Sequence, residues 1–154
     1  MAIELDFSLS PSWNSRARDV DFSTADEGVL RYEAFLGDVG VRIDAVDFST
    51  NWGWVPILDF AMGLETAIAD LEGGEQRSVF EFTESDDAIR FVREGDLVCV
   101  STTYRKGQPR LPFEELRAAV SAFATRVRDR VCGEWPELKR NKTIERWLEA
   151  RSTG

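Results

Sequence analysis

The chain has 154 residues, of which 43% are hydrophobic and 31% charged, and its formal net charge is -9. This length favours a single domain over residues 1–154, large enough to form a core without metal or disulfide support. The negative charge argues against nucleic acid and against an anionic membrane surface as partners, because both require a basic footprint.

The charge is unevenly distributed along the chain. Residues 1–104 contain 7 Lys or Arg and 21 Asp or Glu, a net charge of -14, whereas residues 105–154 carry +5. One interpretation is that the two parts neutralise each other in the fold. The other is that the N-terminal part presents an acidic surface to a basic protein.

The first part of the chain has the alternation of apolar and polar residues that is typical of strands. Residues 3–9 alternate regularly, which predicts a half-buried strand, and a polar connection follows it. Alternation also predicts strands at residues 29–36 and 39–48, joined by a hairpin at Gly37-Asp38. The apolar phase slips within the third strand, so we expect a β-bulge near Ala45.

A helix and a second group of strands follow. Residues 56–72 carry apolar side chains at helical spacing, which predicts an amphipathic helix. Three further strands are predicted at residues 76–83, 88–93 and 97–104. The last two are joined at Glu94-Gly95-Asp96, whose composition favours a tight hairpin.

The clearest pattern in the sequence predicts a long helix over residues 112–131. Pro112 suits its first turn, and Gly133 is a typical stop. One face of the helix is apolar at steps of three and four residues, namely Phe113, Leu116, Val120, Phe123, Val127 and Val131. A short helix at residues 142–151 closes the chain.

The predicted order βββ-α-βββ-α-α indicates an α+β protein. Strands joined by hairpins need no helical crossover, so we expect a largely antiparallel six-stranded sheet. The two long helices have one apolar face each, and we expect both to pack on one face of that sheet.

No motif in the sequence indicates catalysis. The chain contains no histidine, the commonest general base and zinc ligand. Asp19-Val-Asp21 begins like a calcium loop, but Thr24 and Leu30 occupy the positions that require Gly and Glu. We therefore predict no catalytic residue, no metal site and no cofactor, and the sequence favours a non-enzymatic protein. Enzymes that use carboxylates, Lys or Tyr stay open.

The cysteines and the N-terminus indicate an intracellular setting. Cys99 lies in an apolar strand, which predicts a buried structural thiol, and we expect no reactive role for Cys132. The N-terminus lacks the basic and apolar regions of a signal peptide, and no apolar run approaches the roughly 20 residues of a membrane span. We expect a cytoplasmic protein with reduced thiols and no membrane partner.

The segment from Asn51 to Pro56 is the most informative candidate for a binding site, because it places Trp52 and Trp54 in one loop. One interpretation is that they close the end of the core. The other is that one of them is an exposed anchor, since Trp is enriched at interface hot spots. The loop is flanked in sequence by acidic residues, which predicts a partner-binding surface made of Trp52, Trp54, Asp44, Asp47 and Asp59.

The chain resembles the small acidic immunity-type proteins that are encoded beside secreted bacterial toxins. The resemblance is one of size, charge and composition, and its local pattern is Trp52-Gly-Trp54-Val-Pro-Ile-Leu-Asp59-Phe. It implies tight, stoichiometric binding of a cognate toxin whose active site is blocked by acidic side chains.

Three functional hypotheses follow. The first is a non-enzymatic protein that binds a basic protein, with a toxin as one such partner. The second is a small-molecule-binding or enzymatic domain with a site between sheet and helices that uses Tyr32, Tyr104 or a carboxylate. The third is a structural domain that forms homo-oligomers through a sheet edge or the C-terminal helix.

Overall fold

In residues 3–83 and 85–153, which the computed structural model describes, the strands form two four-stranded antiparallel sheets. The α+β class and the antiparallel pairing agree with the prediction from the sequence. The single six-stranded sheet was wrong, because the two groups of strands do not pair with each other.

The first sheet is built around one long pair of antiparallel strands that are not adjacent in the chain. Strand β1 (Ile3–Leu9) runs antiparallel to β2 (Leu36–Ile43) along its whole length. Two short strands, β3 (Val46–Asp47) and β4 (Val55–Pro56), also pair with β2. The even-numbered residues of β1 and β2 lie on the outer face of this sheet, and the odd-numbered residues, which are buried or partly buried, face the core.

The second sheet is a meander of consecutive strands. Its order is β5 (Arg77–Glu81), β6 (Ala88–Glu94), β7 (Leu97–Thr102) and β8 (Arg110–Pro112). Glu94 pairs with Leu97, so the predicted hairpin is confirmed. Gly95 in its turn has a φ of 64°, a conformation that glycine adopts without strain.

Two long helices cover the inner side of the sheets. They are α2 (Ile57–Glu72) and α3 (Phe113–Glu134), and shorter α-helices, α1 (Pro11–Arg16) and α4 (Lys142–Thr153), lie near the two ends of the described chain. Helix α2 packs against α3 and β5, and α3 packs against β1. Two 3₁₀ turns, Ala17–Asp19 and Pro136–Arg140, extend α1 and connect α3 to α4.

The predicted strand at residues 29–36 was wrong, because Val29–Glu33 is a π-helical turn and β2 begins only at Leu36. The Asp26 side chain accepts a hydrogen bond from the Val29 amide, which starts a helical turn at the place where a strand was expected. Burial also departs from a strand, in which residues two apart share a face, since Leu30 is buried whereas Tyr32 is 42% exposed.

Two details of the predicted first hairpin are also corrected. Gly37-Asp38 is not a turn but lies within β2, where Gly37 pairs with Leu9. The phase slip near Ala45 reflects a tight turn at Asp44 and Ala45 rather than a bulge, and Asp44 has a φ of 52°.

A continuous hydrophobic core joins both sheets to α2 and α3. Trp13 and Phe22 belong to it, and they meet Phe35 and Trp135 at ring-centroid distances of 5.3–6.1 Å. Over the part of the chain that the structure describes, no helix is both long enough and apolar enough to cross a membrane.

The close approach of β1 to β2 leads to a prediction about two glycines of one strand. A Cβ at Gly37 would lie 1.8 Å from the Ser8 carbonyl oxygen, whereas one at Gly40 would lie 3.3 Å from the Asp6 Cβ. We expect Gly37→Ala to lower the free energy of unfolding by about 3 kcal/mol and Gly40→Ala by less than about 1 kcal/mol, both measured in urea. Equal losses would show that the register of β1 and β2 is not as described.

Candidate functional site

The tryptophan loop, residues 50–54, lies where the two sheets meet. The rings of Trp52 and Trp54 are stacked, with centroids 5.1 Å apart and planes inclined by 16°. The Trp52 ring also meets the edges of Phe82 and Tyr104, which follow β5 and β7 of the second sheet, at 5.2 and 5.1 Å. The loop of the first sheet is therefore attached to the second sheet through aromatic contacts.

Hydrogen bonds fix the backbone of the tryptophan loop. Asp38 Oδ1 accepts hydrogen bonds from the Thr50 hydroxyl and from the Gly53 amide, both at 2.9 Å. Gly53 has a φ of 79°, which a residue with a side chain rarely adopts. Because Asp38 lies on the outer face of β2, this carboxylate ties the loop to the border of that face.

Tyr104 completes the attachment. Its hydroxyl donates a hydrogen bond of 2.7 Å to the Phe48 carbonyl oxygen, just after β3. Burial is the main reason why the pKa of Tyr104 lies well above its usual value, and the nearby charge of Asp87 adds to it. The phenol therefore stays protonated at physiological pH and serves as a hydrogen-bond donor, not as a base.

The two tryptophans are neither fully buried nor exposed. Trp52 contacts the buried Phe82 ring and so closes one end of the core. Neither Trp52 nor Trp54 is fully buried, and each keeps part of its ring accessible to solvent. The pair is therefore a rigid aromatic platform at the surface, supported from below by the core.

The outer face of the first sheet is acidic. Glu4, Arg42 and Asp47 face one another in a row across β1, β2 and β3. Asp6 and Asp38 lie on the same face in the neighbouring rows. We call these five residues the acidic face; its one cation, Arg42, lies 3.5 Å from the Glu4 carboxylate and 3.8 Å from that of Asp6.

Two of the predicted acidic residues lie at this face. Asp47 is exposed and accepts hydrogen bonds from Ser49, which hold the pKa of Asp47 below its usual value. Asp44 is exposed in the turn between β2 and β3. Asp47 is thus ionised at physiological pH and Asp44 extends the same border of the sheet.

Asp59, by contrast, is not part of an acidic surface. It is only 5% exposed, in the first turn of α2, and its Oδ1 accepts hydrogen bonds from Arg31 at 2.7 and 2.9 Å. Burial raises the pKa of Asp59 above its usual value, while the hydrogen bond and charge of Arg31 act in the opposite direction. Its proximity to the loop in sequence was misleading, because a helix turns its first acidic residue inward here.

Among the described residues, the cavity found between the sheets and the helices is too small for a ligand. The cavity there has a volume of about 10 Å³, close to the minimum for one water molecule, and its lining is apolar. A larger groove of about 610 Å³ lies instead between α2, α3 and α4. Of the two tyrosines proposed for an internal site, Tyr32 is exposed and Tyr104 is bonded to Phe48.

The cysteines are both free thiols, but their placement differs from the prediction for one of them. Cys99 lies on the outer face of β7 and is only partly buried, so the expectation of a buried thiol was wrong. Cys132 is buried near the end of α3, and burial raises the pKa of its thiol. Among residues 3–83 and 85–153, no three His, Cys, Asp or Glu side chains are grouped as a metal site.

Sequence reasoning missed three residues of this region, namely Glu4, Asp6 and Asp38, and it considered Tyr104 only for an internal ligand site. The signal for Glu4 and Asp6 was present, because they occupy the polar positions of an alternating strand. The roles of Asp38 and Tyr104 depend on contacts with residues that are distant in the chain, and no local pattern indicates them.

The ion pair between the buried Asp59 and Arg31, whose side chain is 26% exposed, predicts unequal effects for its two partners. Arg31→Gln leaves a buried carboxylate without its cation, so we expect a loss of about 2–3 kcal/mol in the free energy of unfolding at neutral pH. Asp59→Asn keeps an acceptor for Arg31 and should cost about 1 kcal/mol.

The pH dependence separates this explanation from a simple packing defect. Without Arg31 the pKa of Asp59 rises further above its value in the unfolded chain, so protonation favours the folded state. The free energy of unfolding of Arg31→Gln should therefore approach that of the wild type as the pH falls from neutral towards the pKa of Asp59 in the folded variant. Parallel urea titrations of the two proteins over this pH range measure the difference. A deficit that is constant with pH would contradict the ion pair.

The two tryptophans should also differ in their contribution to stability. Trp52 has ring contacts with Trp54, Phe82 and Tyr104, whereas the ring contact of Trp54 is with Trp52. We expect Trp52→Ala to lower the free energy of unfolding by about 3 kcal/mol and Trp54→Ala by about 1 kcal/mol, measured in urea. A larger loss for Trp54 would exclude the described attachment to the second sheet.

The geometry of the tryptophan loop and the acidic face is the basis on which function can be argued. Comparisons with protein-family models, with curated protein sequences and with solved structures find no match for this chain. The resemblance to immunity-type proteins therefore rests on size, charge and the tryptophan loop.

Proposed function

We propose that the protein is a non-enzymatic binding protein that docks its acidic face and the adjoining tryptophan loop onto a basic protein. In this proposal it acts as an immunity-type inhibitor in the cytoplasm, where it masks a toxin by occupying its basic active-site surface. The charge of -14 on residues 1–104 supports this, since the acidic face is drawn entirely from that part of the chain.

The observation that carries the proposal is the concentration of carboxylates on one exposed sheet face. Glu4, Asp6, Asp38 and Asp47 share this face with Arg42, and Arg105 also lies near enough to act electrostatically on Asp47. The side chains of Glu4 and Asp6 are 67% and 66% exposed, so Arg42 does not remove them from solvent. Such a surface attracts a basic partner over a distance of about a Debye length and orients it on approach.

The tryptophan loop supplies an apolar contact surface, which the carboxylates cannot provide. Charge complementarity mainly sets association rate and specificity, whereas buried aromatic side chains provide most of the affinity at hot spots. Trp52 and Trp54 are already stacked, and their loop is held by the hydrogen bond to Asp38 and the ring contact with Tyr104. A partner that covers them therefore costs little side-chain entropy. The loop therefore suits a role as the apolar centre of an otherwise polar interface.

The partner is identified by capture from the native host with the tagged protein at low salt, followed by mass spectrometry. We expect one basic protein in stoichiometric amount, released as the salt concentration rises. If no such protein is recovered, or if the recovered protein stays bound irrespective of salt, the proposal fails.

Charge reversal then locates the interface on that partner. Glu4→Lys and Asp6→Lys should each weaken binding at least about tenfold at low salt, because each places a cation in the acidic face. Glu75→Lys is the matched control, since it makes the same change of net charge at an exposed residue outside the first sheet. Calorimetry that gives equal affinities for all three variants would contradict the assigned surface.

Truncation of the aromatic platform tests its contribution separately. Trp54→Ala should weaken binding by about 2 kcal/mol, roughly thirtyfold, at any salt concentration. An unchanged affinity would remove the tryptophan loop from the interface without affecting the role of the acidic face.

A further inference from the structure

Strand β5 is an open edge of the second sheet. It is the first strand in the sheet order, and β6 is its one neighbour among the described strands. The Arg93 amide donates to the Gln76 carbonyl and the Phe82 amide donates to the Asp87 carbonyl. Because hydrogen-bonded residues alternate along an antiparallel strand, the backbone groups of the odd-numbered residues of β5 point away from β6.

Those outward backbone groups belong to Arg77, Val79 and Glu81. All three side chains lie on the exposed face, and Val79 is 48% exposed, which is unusual for a valine in the middle of a strand. Within the described chain, the side chains of Arg77 and Glu81 have neither a hydrogen bond nor an ion pair. The edge therefore offers both an unpaired backbone and two unpaired charges.

The other sheet edges in the described residues are shorter than β5 or are contacted by another part of the chain. Arg126 of α3 donates to the Leu5 carbonyl oxygen on the free side of β1. The far side of β2 is occupied by β3 and β4. Strand β8 has three residues, and its end is Pro112, which has no amide hydrogen to donate.

The sequence of β5 is complementary to itself when read in the opposite direction. Arg77 and Glu81 are equally distant from Val79, with Ser78 and Phe80 between them facing the core. If two β5 strands pair antiparallel about Val79, Arg77 of each copy stands opposite Glu81 of the other. Edges that avoid self-pairing carry like charges or an inward-pointing charge, whereas this arrangement produces two attractive pairs.

We propose that the chain forms a symmetric homodimer by antiparallel pairing of β5 with β5 of a second copy, with the two-fold axis at Val79. The pairing joins the two second sheets into one continuous eight-stranded sheet. The backbone groups that point outward are those that such a register requires, since Val79 would exchange both hydrogen bonds with its counterpart. The acidic face is on the other sheet, so this dimer is independent of the proposed partner binding.

The expected dimer is weak and concentration-dependent. Pairing of two five-residue strands buries less than the roughly 1,200–2,000 Å² of a standard interface. Sedimentation velocity over a concentration series should therefore show a reversible shift from monomer to dimer. A chain that stays monomeric up to its solubility limit would overturn the proposal.

A charge swap tests the register. Glu81→Arg and Arg77→Glu each replace two attractive pairs by two like-charged pairs, and we expect each to raise the dimer dissociation constant about tenfold or more. The double variant Arg77→Glu with Glu81→Arg restores both attractive pairs and should restore the dimer. Failure of the double variant to recover, with circular dichroism showing that it is folded, would refute this register.

Amide hydrogen exchange tests the same register without relying on charge. The amides of Arg77, Val79 and Glu81 should gain protection as protein concentration rises, while those of Ser78 and Phe80 are protected at all concentrations by β6. Val79→Pro removes an outward amide that points away from β6, so it should abolish the dimer while β5 stays paired with β6. Exchange at the odd-numbered residues that is independent of concentration would contradict the proposal.

Discussion

The structure depends on the packing of one ring, that of Phe60 in α2. This ring meets Phe80 and Phe82 of the second sheet at 5.0 and 6.1 Å and Phe123 of α3 at 5.7 Å. Phe123 in turn meets Phe7 of β1 at 5.9 Å, so a chain of aromatic contacts connects the two sheets through the two long helices. Nearby on the same helix, a Cβ at Gly63 would lie 2.5 Å from the Phe80 ring, so glycine allows α2 to approach β5 this closely.

The tryptophan loop continues this chain of aromatic contacts to the surface. Phe82 meets both Phe60 and Trp52. The Tyr104 hydroxyl adds a second link to the first sheet, because it donates a hydrogen bond to the Phe48 carbonyl just after β3. The sheets are thus joined at this end by side chains and not by strand pairing. A platform built in this way is held by the core, which is why partly buried tryptophans can keep a fixed orientation next to the acidic face.

Three aspartates near the loop illustrate how burial decides what a carboxylate does. Asp47 stays in solvent, and hydrogen bonds from Ser49 stabilise its charge. Asp38 lies on the acidic face, and its Oδ1 accepts hydrogen bonds from the Thr50 hydroxyl and the Gly53 amide of the loop. Asp59 is enclosed by α2 and requires Arg31 as its counter-ion. The net charge of a segment therefore overstates the charge that its surface presents to a partner.

Local patterns in the sequence determined β1, both long helices and the hairpin at Gly95, because amphipathic spacing and turn residues act between near neighbours. Tertiary structure alone decided that the strands form two sheets, since strands such as β1 and β2 pair although they are distant in the chain. It also decided the roles of Asp59, Asp38 and Tyr104. Their partners are distant in the chain, and alternation within one strand or helix carries no information about them.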